Sequence, residues 1–572
     1  MSGCTEDIEE PSPTRRLAAQ ADGSEPGAQA RYLAYTPEQL SAAFAPKGTG
    51  LADAEAAARF LAQASFGPTV ASLAAVRTMG FSQWLEAQFS APRTEPHTDR
   101  VLAQNLALGS WTYTIPVFGP SNSELMLNEA WRVMMTGPDQ LRQRIIAALL
   151  EIFVITTKVG TIGIGPHQVT AAGYVDMLGE HAFGNFRALL EGVATSAAMG
   201  VFLSHRDNAK AEYDATGQEV RVPDENFARE LMQLFSIGLY QLQADGSLKL
   251  RDGQAEETYS QSDVFNLARV FTGWVVATPI AGQHPLAHWA RPMQIRPERH
   301  SPEVKQFLGT TIPAGTPAQA SLTQALDAIF LHPNVAPFIG RQLIQRLVTS
   351  NPSSAYIGRV SAAFNNNGLG VRGDMKALIR AIFMDPEART PPTVGSSSTF
   401  GKPREPMLRL VAVARAMEVG DPGTVVFPVA NLSNASTGIG QSPLRAPSVF
   451  NFFRPGYVPP QSDLARLGLV GPEFQLLVGP VIGASVNKIN EFVRTGGNFL
   501  LTDLRHLTDL AAQPSKLLQR VSLLLTGATL SAADASTYLS VVQQVPSKRR
   551  ELRVQVALQL VASSSACLIQ SA

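Results

Sequence analysis

The segment "SQSDVFNLARVFTGW" (260–274) limits the fold more than any other stretch of this chain. Projected at about 100° per residue, Val264, Phe265, Leu267, Ala268, Val270 and Phe271 surround nearly its whole circumference. A helix that is apolar on nearly all sides is expected to be buried. The chain must therefore supply other helices to cover it, and 572 residues are enough for such a body.

Helical signals do follow one another. "DAEAAARFLAQASFG" carries Ala57, Phe60, Leu61 and Ala64 at helical spacing and stops at Gly67-Pro68. "SLAAVRTMG" and "FSQWLEAQF" read as short helices divided by Gly80. "GPDQLRQRIIAALLEIFVIT" starts at Pro138-Asp139 and lines up Leu141, Ile145, Leu149 and Ile152. "GNFRALLEGVATSAAMGVFL", "HPNVAPFIGRQLIQRLVTSNP" and "DMKALIRAIFMDPEA" follow, the last opened by Asp374. "SKLLQRVSLLLTG", "SAADASTYLSVVQQV" with Ser531 as N-cap, and "RRELRVQVALQLVA" close the chain. Strand signals are confined to short alternating pieces in 275–315. A second irregular region spans 420–460, and long loops of this kind more often carry function than plain connections. The chain reads as mainly α: a large multi-helix body with two long irregular inserts and at most a small β-hairpin. Residues 1–50 are expected to be a disordered tail, 51–460 the main helical domain, and 461–572 a helical part packed on it.

Charge excludes several classes. Lys plus Arg and Asp plus Glu are 47 each, so the whole chain gives no reason to expect nucleic acid. Two cysteines, Cys4 and Cys567, rule out a disulfide framework and a Cys-rich zinc site. No run reaches the roughly 18 to 20 apolar residues of a membrane span. "IIAALLEIFVIT" is too short and carries a charge. "MSGC" looks like the end of a bacterial lipoprotein cleavage site, with Cys4 as the lipidation candidate, although the apolar segment that should precede it is missing. On that reading the protein is exported and meets a membrane only through a lipid anchor, and the Pro- and Ala-rich stretch after Cys4 is a tether.

The polar residues of "VPDENFARELMQLFSIGLYQL" (222–242) pose the functional question. Phe227, Leu231, Leu234 and Phe235 fall on one side of its helix, and Glu225, Asn226, Arg229, Glu230 and Gln233 on the other. Glu225 and Arg229 are four apart, as are Asn226 and Glu230. Asp224 is the expected cap and Gly238 the expected stop. In the apolar helix that follows, Asp263, Asn266 and Arg269 need partners, because unpaired buried charge is costly. The favoured reading is a structural polar network of Glu225, Asn226, Arg229, Glu230, Asp263, Asn266 and Arg269, with Glu230 paired to Arg269. The competing reading is a cleft in which Glu225 or Glu230 serves as general acid or base and Arg229 or Arg269 binds an anion. His300 and Lys305 are the further candidates, as a phosphate- or carboxylate-binding corner. His284, His288 and His300 make a poor zinc set because Pro285 interrupts their spacing. His181 and His205 are expected to be capping or solvent residues, His332 a helix-start residue, and the aromatics of "SVFNFFRPGY" core. The chain carries no G-x-S-x-G, H-E-x-x-H, P-loop or G-x-G-x-x-G signature, so neither a cofactor nor a metal is expected.

Several ordered segments together resemble one bacterial family, domain of unknown function 1800. They are "RFLAQASFGPT" (59–69), "HAFGNFRALLEGVATSAAM" (181–199), "ENFARELMQLFSIG" (225–238), "DVFNLARVFTGW" (263–274), "HSPEVKQFLG" (300–309) and "HPNVAPFIGRQL" (332–343). "APSVFNFFRPGYVPP" (446–460) resembles the longer members. Ser301 stands where the family often has an Asp after the His, which weakens any His–Asp mechanism built on His300. The resemblance implies a mainly helical exported protein, periplasmic or on the cell envelope. Its gene neighbour is often a sulfatase- or phosphatase-like protein. The first functional expectation is therefore binding to, or assembly with, such a partner; the alternative is a hydrolase acting on an envelope or extracellular polymer.

Overall fold

Local chemistry sets the helix boundaries. The Asp53 carboxylate accepts the Glu55 N–H, Thr69 and Ser72 close a capping box, Asp374 accepts from Lys376 and Ala377, and Ser531 accepts from Asp534. A computed structural model describes residues 35–44, 53–108, 124–158, 168–390, 399–429, 431–496 and 500–570. The elements used below are α1 (Pro37–Phe44), α2 (Ala54–Ala64), α3 (Val70–Ser90), α4 (Gln140–Leu150), α5 (Asn226–Gln233), α6 (Gln261–Val270), α7 (Val335–Leu347), α8 (Met375–Met384), α9 (Pro406–Ala416), α10 (Pro514–Thr526), α11 (Ala532–Gln544) and α12 (Arg550–Ala562). Gly80, at φ 81°, breaks α3 where the sequence divides into two helices.

The chain is mainly α. Its β content among the described residues is five two-stranded antiparallel pieces. They are β1 (Glu212–Tyr213) with β2 (Glu219–Arg221), β3 (Leu250–Arg251) with β4 (Gln254–Ala255), β5 (Trp274–Val275) with β6 (Gln294–Ile295), β7 (Lys305–Phe307) with β8 (Thr310–Ile312), and β9 (Lys402–Pro403) with β10 (Ile569–Gln570). Two of these pairs lie in the 275–315 region where strand signals were read. The last pair ties residues near the chain end to the segment just before α9.

α10 packs on α2, α9 and α12, so helices from both ends of the described chain share one set of contacts. Two expectations need correction. Inside the predicted 1–50 tail, α1 is an ordered helix on α3: Ala43 is fully buried, and the Arg77 guanidinium donates to the Ala42 carbonyl at 2.9 Å. Cys4 and the rest of that tail lie outside the described residues. The second correction concerns α6, which is not sealed all round. Val264, Leu267, Ala268 and Val270 are buried, but Phe265, Asn266 and Arg269 are half-buried. The Arg269 guanidinium covers the Phe265 ring at 4.6 Å, doing for that ring what a further helix would otherwise do.

Candidate functional site

The polar residues of α5 and α6 are mostly spent on one another. Arg229 pairs with Glu225 at 2.9 Å, one turn back. Gln261 donates to the same Glu225 carboxylate at 2.7 Å and accepts from Arg229 at 3.2 Å, which links the two helices at a half-exposed surface. The Asn226 N–H donates to the Asp224 carboxylate, but the N-cap is Glu225, one residue after the expected position, and its side chain makes no cap bond. Asp263 closes a capping box with Ser260 and accepts the Leu308 N–H at 2.8 Å, fixing the turn between β7 and β8.

The expected Glu230–Arg269 pair does not form. β7 packs on α6, and the loop before it supplies Glu303, which takes Arg269 at 2.9 Å. Arg269 also donates to Asn266 and to the Val304 carbonyl. Glu230 turns inward instead, to 8% exposure, with Oε2 lacking a donor. Burial pushes its carboxyl pKa up.

His300 and Lys305 are sealed too. His300 Nδ1 meets the Thr272 carbonyl at 2.9 Å and Nε2 meets Ser321 Oγ at 3.3 Å. Lys305 Nζ donates to the Ser301 and Glu303 carbonyls at 3.0 and 3.1 Å. Burial pushes the Lys305 ammonium down to about 8 and lowers His300. Both side chains hold their own loop, and they do not join Glu225, Arg229, Glu230 and Arg269 in an open cleft. His205, expected at a cap or in solvent, is a core residue at 0% exposure. It stacks on Phe227 at 3.9 Å and bonds the Ala194 carbonyl. His332, expected to start a helix, is instead the C-cap of the helix Ala318–Leu331; its Nδ1 accepts the N–H of Asn334, which is the N-cap of α7. Among the described residues no His, Cys, Asp and Glu group is placed to hold a metal ion.

The open site lies elsewhere, at the far end of the same motif. A cavity of about 350 Å³ is bounded by Gln233, Leu234 and Gly238 after α5, by Leu239, Tyr240, Leu242 and Leu248 of the following turn, by Phe338, Arg341, Gln342, Gln345 and Arg346 of α7, and by Val449, Phe450, Arg454, Pro455 and Gly456. Three segments quoted above for the family resemblance thus meet at one wall, though more than 200 residues separate the first from the last. Gly238, at φ 75°, is required there twice over: the chain turns left-handed, and a Cβ would stand 2.7 Å from the Phe338 ring. Among the aromatics expected to be core, Phe453 is buried but Phe450 faces the cavity at 45% exposure.

Three carboxyls and three cations meet beneath this cavity. Lys402 and Glu473 pair at 3.0 Å with both side chains 1% exposed. Arg346 stands 3.6 Å from Glu151 and donates to the Glu151 carbonyl; Arg144 and Lys402 both donate to the Arg346 carbonyl. Glu405 accepts from Gln441. Glu151 Oε2 and Glu405 Oε1 are left without a hydrogen-bond donor. Burial, then Glu405, pushes the Glu151 carboxyl well above the ordinary carboxylate range, against the pull of Arg346 and Lys402. Glu151 also lines a smaller cavity of about 60 Å³ toward Leu150, Ile155 and Met407. Sequence reasoning missed this cluster. Its one visible signal is the charge inside the apolar run "IIAALLEIFVIT", which is Glu151 itself.

Fold and site together define a large helical protein with a cation-walled pocket over a buried ionic floor. The chain belongs to the family described as "Protein of unknown function (DUF1800)", whose family model matches residues 59–568. The match runs through the C-terminal helices as well as the motifs. No curated protein and no solved structure matches the chain.

Proposed function

We propose that this protein is a binding protein whose pocket receives an anionic group. One observation carries the reading. Arg341 and Arg454, from segments far apart in sequence, line the pocket with no carboxylate partner among the described residues. Glu151 is the one carboxylate among the lining residues, and its environment favours the protonated form. Burial lowers the Arg341 pKa, and a guanidinium stays charged nonetheless. The unpaired guanidiniums of half-buried Arg341 and exposed Arg454 suit a carboxylate, sulfate or phosphate on a ligand or partner. Export to the envelope, anchoring at Cys4 and assembly with a sulfatase-like partner remain part of the proposal, as what the resemblance and the "MSGC" motif suggest. Calorimetric titration with citrate and sulfate tests the pocket. Binding that Arg341→Gln with Arg454→Gln abolishes, in a protein of unchanged melting temperature, supports the reading; an unaltered isotherm overturns it.

The Glu151–Glu405 carboxyl pair favours a second reading, a hydrolase on an anionic polymer with protonated Glu151 as general acid. Glu151→Gln that keeps ligand affinity but loses turnover of such a polymer distinguishes it from pure binding.

A further inference from the structure

The part of the pocket wall that reaches solvent is mostly hydrocarbon. Leu239, Tyr240, Leu248 and Phe450 line the cavity at 45–49% exposure. Leu234, Phe338 and Val449, half-buried, continue the same surface inward. Large apolar side chains gathered at one opening mark a binding site, whereas scattered ones need no explanation. The polar groups of the wall are withdrawn or occupied. Glu151, Gln342, Gln345 and Arg346 are at 8% exposure or less, and Gln233 Oε1 accepts from the Tyr259 hydroxyl at 3.3 Å. The backbone beside the pocket is paired as well. The Gln241, Gln243 and Lys249 N–H groups donate to the Glu256, Ser247 and Gln241 carbonyls, and the Leu242 N–H donates to the Asn334 side chain. A ligand therefore meets apolar surface and the guanidiniums of Arg341 and Arg454. Phe338 and Arg341 are three apart on α7, so hydrocarbon and cation share one helix face. Arg454 is held against that helix, because Gln345 Nε2 donates to the Pro455 carbonyl at 3.3 Å.

We infer that the ligand is an anionic single-chain amphiphile, its tail on the leucine and aromatic surface and its head at Arg341 and Arg454. This rests on the anion-binding reading above and adds the tail to it. The planar guanidinium takes two oxygens of a carboxylate, sulfate or phosphate head at once. A cavity of about 350 Å³ is at the small end of the roughly 300–1,000 Å³ range of ligand sites, which suits one chain. An alkyl tail brings no polar group that needs a partner. A sugar or a peptide brings many, and each one buried here without a hydrogen bond costs binding. An extended peptide is further disfavoured because peptides are commonly held through free backbone groups of a strand edge.

The test titrates the full chain with butanoate, hexanoate, octanoate and decanoate below micelle-forming concentrations. Octylammonium, 1-octanol, citrate, an acidic peptide and phosphatidylglycerol vesicles are the comparison ligands. Each pair of added methylenes is expected to tighten alkanoate binding about tenfold. Octanoate should bind at least about tenfold more tightly than octylammonium or octanol. Leu248→Ser with Phe450→Ser, both at exposed positions, should weaken decanoate about tenfold at an unchanged melting temperature while citrate binds as before. Arg341→Gln with Arg454→Gln should bring octanoate down to the affinity of octanol. Citrate binding with no gain along the alkanoate series overturns the amphiphile and leaves the anion site standing. So does tighter binding of the peptide, or capture by the vesicles without binding of monomeric decanoate. Loss of no ligand in Arg341→Gln with Arg454→Gln overturns the anion site itself, and the amphiphile with it.

Discussion

The α5–α6 surface and the floor of the pocket use the same residue types to opposite ends. On the surface, Glu225, Arg229 and Gln261 satisfy one another within hydrogen-bond distance, and water reaches them. Under the pocket, Glu151, Glu405 and Glu473 face Arg144, Arg346 and Lys402 away from water, and not every oxygen finds a donor. Residues close in sequence pair locally and finish their chemistry there. Residues hundreds of positions apart meet in the interior, where unfinished chemistry leaves Glu151 with a shifted proton equilibrium beside an open cavity.

The buried pair should break the comparison most forcefully. Lys402→Met strands Glu473 at 1% exposure and is expected to cost about 3–5 kcal/mol in denaturant unfolding. Adding Glu473→Gln should recover much of it. A single-variant loss below about 1 kcal/mol would show that the floor is not a tight ionic cluster.

His205 gives the next effect and shows what anchors α5. Its ring lies under Phe227, which meets Phe271 edge-on at 4.7 Å. Burial lowers its pKa from 6.5 to about 4, so the folded state holds it neutral. The associated stability is whole above pH 6.5 and drains away as pH falls toward 4, by about 3 kcal/mol in all. His205→Gln should flatten that slope. His332 and His506, also pushed to about 4, keep the remainder. Equal slopes for variant and wild type between pH 6.5 and 4 would contradict the assignment.

Gly238 connects the two regions, ending the motif and opening the pocket. Gly238→Ala forces a side chain into left-handed backbone and against Phe338, for about 1–2 kcal/mol. Because Phe338 lines the cavity, anion affinity should fall with it. Unchanged binding alongside lost stability would separate the turn from the site.

Much of the fold was legible. Periodicity and caps located α2, the Gly80 break, α8 and α11, since these depend on neighbours in sequence. The candidate site was legible only at one edge. "ENFARELMQLFSIG" reaches the pocket through Gln233, Leu234 and Gly238, not through its charged residues. Glu230 was assigned to Arg269 because α6 is the next helix; Glu303 lies on an irregular insert whose path no periodicity specifies. Lys402 and Glu405 share the short segment "GKPREP", but Glu473 lies far along the chain, and only tertiary packing brings them to Glu151 and Arg346.

The smallest effect sharpens the contrast from the other side. Arg229 is a half-exposed partner of Glu225, one turn away, and Gln261 already donates to the same carboxylate. Such pairs gain little, because water solvates both ends of a broken pair and salt screens the intact one. Arg229→Ala is therefore expected to cost less than about 1 kcal/mol, to lose its effect in high salt, and to leave pocket ligands bound as before. A loss of several kcal/mol, or a change in ligand affinity, would mean that the α5–α6 surface and the pocket act as one unit, and would return the charged face of "ENFARELMQLF" to the functional site.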